Sequence, residues 1–164
     1  MDGMTAWTIT LTPIGHPDAV AVLRAYFDDI VSRYHGRPAT AAELDAAMLD
    51  DPSDDLAPPT GVFLVARAGS AVAGCVGART LVPGVAELTR MFVHAGHRRL
   101  RGGTRLLAAA EDAARDLGAD VLQLDTRHDL VEARALYAEW GYTEIAPYSN
   151  SPYADHWFEK KLVG

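Results

Sequence analysis

Four guanidinium groups and two adjacent glycines stand at the start of a long Ala/Leu stretch. Arg98, Arg99, Arg101 and Arg105 flank Gly102-Gly103 in HRRLRGGTRLLAAAEDAARDL, and no acid falls between His94 and Ala110. A helix that begins here leaves its first backbone N–H groups unpaired and carries roughly half a positive charge at that end. Glycine lets a bound anion approach the backbone closely, so the chemistry implied is polyphosphate binding. A P-loop does not fit, because Gly102-Gly103-Thr104 lacks the lysine of Gly-Lys-Ser/Thr. The RGG-like string also suggests nucleic acid. A net charge of −7, the lack of interleaved aromatics and the immediate helix argue against that reading.

Upstream of this junction, Glu87 stands near the start of the run VAELTRMFV. Period-2 alternation puts it on one face with Thr89, Met91 and Val93, where its carboxylate is a general base, a strand-end surface group or an ion-pair partner for Arg90 or Arg79. Downstream, PYSNSPYADHWFEKKL gathers Tyr148, Asn150, Tyr153, His156 and Trp157. Such a set either binds a small amine, with cation–π help, or packs over a sheet or against a second subunit. His94, His97 and His128 match no tight zinc spacing, and no metal is expected. Cys75 reads as a small buried hydrophobe.

Those residues need elements to hold them. Trp7–Ile14 alternates as a first strand; His16-Pro17-Asp18 opens a helix that runs to about His35, ended by Gly36 and Pro38. Thr40, with Glu43 three residues on, predicts a capping box and a helix over Thr40–Leu49. Three prolines make Asp51–Thr60 a loop. Strands are expected over Gly61–Arg67, Val72–Leu81 and Val85–Val93, then a helix over Thr104–Leu117 closed by Gly118. Val121–Thr126 is apolar enough for a buried parallel pairing with Val85–Val93. A helix over Val131–Trp140 and a hairpin of Thr143–Ala146 with His156–Leu162 complete a mixed α+β order with one parallel crossover.

At 164 residues the chain suits one domain, placed at 5–164, with a single core. Apolar residues make up 49% and charged residues 23%, which excludes general disorder. One cysteine forms no intrachain disulfide, and neither a leader pattern nor a membrane-length apolar run is present; a cytoplasmic protein without membrane contact is expected. Glu43, Asp45, Asp50, Asp51, Asp54 and Asp55 cluster without a base among them. They either rim a pocket for a cation or form a solvated acidic face.

The junction resembles the GCN5-related N-acetyltransferase (GNAT) superfamily, whose pyrophosphate motif is Arg-x-x-Gly-x-Gly/Ala between a strand and a helix. Arg98 falls on the motif's Arg and Gly103 on its last small position, with Arg101 in place of the middle Gly and Gly102 just after it. The likeness runs from about Gly61 to Lys161 and includes ARALYAEWGY (Ala133–Tyr142), similar to the family's A-x-x-LY-x-x-x-GF/Y segment. It implies a GNAT fold: a mostly antiparallel sheet with one splayed parallel pair, flanked by about four helices. It implies acetyl-CoA as cosubstrate, its phosphates held by Arg98, Arg99, Leu100, Arg101, Gly102, Gly103 and Thr104. The pantetheine arm would lie along the backbone of Met91, Phe92 and Val93.

The activity implied is direct acetyl transfer to a primary amine of a small molecule or peptide; dimers are common in the family. An alkylammonium must first lose a proton, a deficit of roughly 4–5 kcal/mol at pH 7. The resemblance puts Glu87 in the base's place, acting through water, and Tyr137 beside the coenzyme sulfur as acid; the stripe Leu136, Tyr137 and Trp140 is otherwise the packed face of a helix. With Arg101 in the motif, a non-catalytic acyl-CoA-binding domain of the same fold is the rival expectation.

Overall fold

A computed structural model describes residues 7–98 and 102–163. Strand β1 (Trp7–Leu11) is shorter than the alternation predicts, because Pro13 ends the ladder after Thr12 N–H has bonded the Phe63 carbonyl. Helix α1 (Pro17–His35) starts at His16, whose Nδ1 accepts from the Asp18 amide at 3.0 Å. It stops where Gly36 takes the left-handed conformation, φ 69°. Helix α2 (Ala41–Asp50) carries the expected capping box: Thr40 and Glu43 each accept the other's backbone N–H. Residues 51–60 form the loop that their prolines imply.

Strands β2 (Gly61–Ala68), β3 (Ala71–Val82) and β4 (Val85–Val93) form an antiparallel meander beside β1. After a short 3-10 turn at Ala95–His97, helix α3 (Gly102–Asp116) leads to β5 (Val121–Thr126), helix α4 (Val131–Glu139), β6 (Thr143–Ile145) and β7 (His156–Lys161). Helix α3 begins two residues before the predicted Thr104, so Gly102 and Gly103 form its first turn. The seven strands lie in the order β1-β2-β3-β4-β5-β7-β6, with β4 and β5 the one parallel pair. Their pairing is short. It covers Val85↔Val121, Ala86↔Leu122 and Glu87↔Gln123 and then ends, although β4 runs six residues further and β5 three.

A β-bulge in β4 adds to this opening. Cys75↔Phe92 and Gly77↔Thr89 are partners across β3, so three steps on β4 match two on β3, and Arg90 sits within at φ 57°. The bulge overturns one expectation. Ala86 and Leu88 belong to the core under α3 and α4, and Met91 and Val93 pack against that same core. Glu87 therefore faces the opposite, α1 side, where Phe92 meets Phe63, Val65 and Cys75. The extra residue has reversed the alternation.

Helix α3 presents Leu106, Leu107, Ala110 and Ala114, all fully buried, to one face of the sheet. Its first turn is fitted to β1: a Cβ at Gly102 would fall inside the Trp7 indole, and Arg105 Nη2 donates to the Trp7 carbonyl at 2.9 Å. At Gly103 a Cβ would lie 3.4 Å from Leu136 Cδ2, ordinary packing. We expect Gly102→Ala to destabilise the protein by about 1–3 kcal/mol through overpacking. Gly103→Ala should stay within about 1 kcal/mol of the parent, since alanine favours the helix. Urea denaturation of the two variants checks the contrast.

Candidate functional site

One cavity of about 1170 Å³ is bordered by the start of α3, the free stretch of β4, the end of β5 and the inner face of α1. It passes through the gap between β4 and β5 and so reaches both faces of the sheet. At its α3 end stand Arg98, Gly102, Gly103 and Thr104, and the helix's first turn contains no acid. Arg98 is anchored by a bond from Nε to the Val93 carbonyl, 3.0 Å. Arg99, Leu100 and Arg101 lie outside the described residues. Arg105, grouped with them by charge, is turned instead to Trp7.

Met91, Phe92 and Val93 border the same cavity on the length of β4 that β5 has left unpaired. An extended chain can bond such an edge as an added strand. Tyr137 lines the cavity from α4, 3% exposed, with its ring against Tyr142 and Phe158. Burial, then the charge of Asp125, raises its pKa well above that of a free phenol. It remains a neutral donor across the working pH range.

On the α1 face Glu87 is 7% exposed and tightly held. Arg79, its partner across β3, donates to Oε1 from Nε at 3.0 Å and from Nη2 at 2.8 Å. The Tyr148 hydroxyl donates to Oε2 at 2.7 Å. Glu87 is thus no surface carboxylate, and its ion pair is with Arg79 rather than Arg90. Arg79 also reaches Asp55 at 3.1 Å. Arg90, 3% exposed, bonds Ser53 Oγ, the Asp51 carbonyl and Thr89 Oγ1, pairs with Asp51 at 3.2 Å, and stacks over Phe27. Its guanidinium thereby ties the loop after α2 to the bulge.

Asp125, which sequence reasoning passed over, differs from these acids. It lies on β5 two residues beyond Gln123, hence on the face of Glu87, and borders the cavity. Among the described residues no side chain donates to its carboxylate. Burial raises its pKa to about 6, helped by the charges of Glu87 and Asp51 and opposed by Arg79 and Arg90. An alternating VLQLDT strand shows an acid at this place but not its isolation; that comes from the strand order.

The acidic cluster divides. Asp50 and Asp51 border the cavity, whereas Glu43 pairs with Arg37, Asp45 with Arg24 and Asp55 with Arg79. The β6–β7 loop divides too: Tyr148 reaches Glu87, Tyr153 borders the cavity beside Tyr34, Trp157 Nε1 bonds Ser149, and His156 pairs with Glu144. Among the described residues no group of three or more His, Cys, Asp and Glu is placed to hold a metal, and no helix is long and apolar enough to cross a membrane. Cys75 is buried, with Sγ donating to the Arg90 carbonyl at the bulge.

The model of the acetyltransferase (GNAT) family matches residues 23–142. The chain is 33% identical over 106 residues to a protein of Schizosaccharomyces pombe described as an uncharacterised N-acetyltransferase, covering 63% of this chain and 65% of that one. It is 39% identical over 95 residues to an IAA acetyltransferase of Azospirillum brasilense, covering 57% and 61%. It thus spans just under two thirds of the length of these curated relatives. A solved structure assigned as an acyl-CoA N-acyltransferase of Klebsiella pneumoniae superposes with a TM-score of 0.71 at 27% identity, over 96% of this chain and 99% of that one. A GNAT-family acetyltransferase of Staphylococcus aureus gives 0.77 at 20% identity, over 96% and 99%. The PaiA N-acetyltransferase of Thermoplasma acidophilum, solved with coenzyme A, gives 0.70 at 17% identity, over 94% and 99%.

The Asp125 carboxyl carries a consequence for stability. Its folded pKa of about 6 lies above the unfolded value near 3.9, so between those pH values the native state holds a proton that the unfolded chain has released. Its contribution to stability therefore falls as pH rises from about 4 to 6. Asp125→Asn should be more stable than the parent above pH 6 by about 2 kcal/mol, and the difference should vanish below pH 4. Denaturation midpoints across that range measure it.

Proposed function

Because the chain belongs to the acetyltransferase (GNAT) family, we propose that it transfers an acetyl group from acetyl-CoA to a primary amine by direct attack in a ternary complex. The observation that carries this reading is the single cavity joining a cationic helix start on one face of the sheet to a carboxylate cluster on the other, through the gap beside β4. A diphosphate fits the first end. Arg98 supplies charge, the first turn of α3 supplies unpaired N–H groups, and Thr104 adds a hydroxyl. The pantetheine arm, itself two amides long, suits the free edge at Met91, Phe92 and Val93.

The acceptor enters from the α1 face. Asp50, Asp51, Glu87 and Asp125 border the cavity there and favour a cation, as an alkylammonium is before it reacts. Glu87 serves as a fixed negative charge, held by Arg79 and Tyr148, that keeps the amine beside the thioester. Tyr137 donates a hydrogen bond to the sulfur as it leaves. A thiolate with pKa near 8.5 departs readily, so a neutral phenol need only stabilise it.

The test has two parts. Acetyl-CoA at about 100 times its dissociation constant should add about 2.7 kcal/mol of stability, seen as a rise in melting temperature. Thiol release from acetyl-CoA is then followed with spermidine, kanamycin, phenylalanine and a short peptide as acceptors. Absence of the thermal shift removes the cosubstrate, and a shift without thiol release for any amine removes the reaction.

Two variants probe the roles. Glu87→Gln should lower turnover at pH 7 about tenfold or more while leaving the acetyl-CoA shift unchanged. Tyr137→Phe should lower turnover by about tenfold with the melting temperature preserved, since the ring stays in the core. An unchanged rate would leave Tyr137 a packing residue only.

A further inference from the structure

We propose that Asp125, rather than Glu87, takes the proton from the acceptor's ammonium group, with Glu87 as the positioning charge that prepares it. The inference rests on the acyltransfer reading above and assigns its least determined step. Glu87 has little capacity left: two N–H groups of Arg79 fill Oε1 and the Tyr148 hydroxyl takes one of the two lone pairs on Oε2, so three charge-stabilising donors compete with a proton there. Asp125 meets no donor among the described residues and opens onto the cavity at the mouth of the β4–β5 gap. Register puts both carboxylates on the same face, and an ammonium between them would meet Glu87 already engaged by three donors and Asp125 by none among the described residues.

The groups that face Asp125 set its proton affinity. Glu87 and Arg90 come from β4, Arg79 from β3 and Asp51 from just beyond α2. Tyr26 of α1, Tyr137 of α4 and Tyr148 of the β6–β7 loop feel its charge in turn. Burial and the two like charges outweigh the two guanidinium groups and bring the carboxyl to about 6. Such a base is ionised at pH 7 yet takes a proton more readily than an ordinary carboxylate, the compromise that general-base catalysis favours.

The step balances. The ammonium gives one proton to an Asp125 oxygen, and the freed nitrogen lone pair bonds the thioester carbon. Collapse of the tetrahedral adduct breaks the C–S bond, and the nitrogen's second proton ends on the departing sulfur. The products are the amide, free coenzyme thiol and one proton, which Asp125 returns to water.

The test compares Asp125→Asn and Glu87→Gln by the pH dependence of kcat from pH 5 to 9, using whichever amine of the panel turns over fastest with the parent. The parent should show an acid limb with its midpoint near 6. Asp125→Asn should lower kcat by about 10²–10³-fold at pH 7.5, abolish that limb, keep the thermal shift with acetyl-CoA and melt no lower than the parent. Glu87→Gln should keep the limb but move it to lower pH, because a like charge has gone. An acid limb retained in Asp125→Asn, or a rate within about threefold of the parent, overturns the assignment. So does loss of the acetyl-CoA shift in that variant, which would make Asp125 structural. Failure of the underlying reading looks different, since no amine would then release thiol even with the parent.

Discussion

The organisation of this molecule follows from an interruption in its sheet. Strands β4 and β5 pair for three residues and then part, so the backbone from Leu88 to Val93 has β3 on one side and the cavity on the other. A buried edge of this kind is costly unless its N–H and C=O groups find partners. The opening is built in by two features. A left-handed Arg90 lengthens β4 by one residue relative to β3, and the Arg90 side chain is fastened to residues 51–53 so that the strand cannot settle back. Separation of the two strands lets the α3 face and the α1 face communicate, and each face has its own charge.

That division of charge gives the site its direction. The α3 face offers a helix start without acids and the guanidinium of Arg98; the α1 face offers carboxylates. One end favours an anion and the other a cation, and the gap lies between them. The acids and bases near the middle are mostly neutralised in pairs, Arg79 with Glu87, Arg90 with Asp51, Arg127 with Asp129. Pairing of this kind fixes geometry more than it adds stability. It also sets Asp125, which joins none of these pairs, chemically apart from them.

Much of the fold was legible because its signals are local. Caps at His16 and Thr40, the glycine stop at Gly36 and the turn at Pro83-Gly84 act within a few residues, and the elements they bound lie within two residues of where the sequence puts them, β1 excepted. The parallel crossover was legible from one apolar strand. Other features are products of tertiary arrangement. Nothing in TRMF marks Arg90 as a bulge, since arginine is a poor choice for positive φ and is kept there by contacts with a loop some 40 residues earlier. That one residue moved Glu87 to the face opposite Met91 and Val93. Glu87 itself was visible as a charged strand residue with several possible fates, and its lasting bond to Tyr148 depended on a loop 61 positions away. Asp125 was missed because isolation from donors is a property of a neighbourhood, not of a motif.

The seat of Trp7 on Gly102 ties the first described strand to the first turn of α3, and Arg105 reaches back across 98 positions to the carbonyl of that same tryptophan. Such closure is slow to form, because the entropy of a long intervening segment must be spent before the contact rewards it. Strand β1 emerges early from the ribosome, yet it can dock only after β2 and α3 exist. The first turn of α3 therefore takes its final seat only once the chain has looped back onto its earliest described strand.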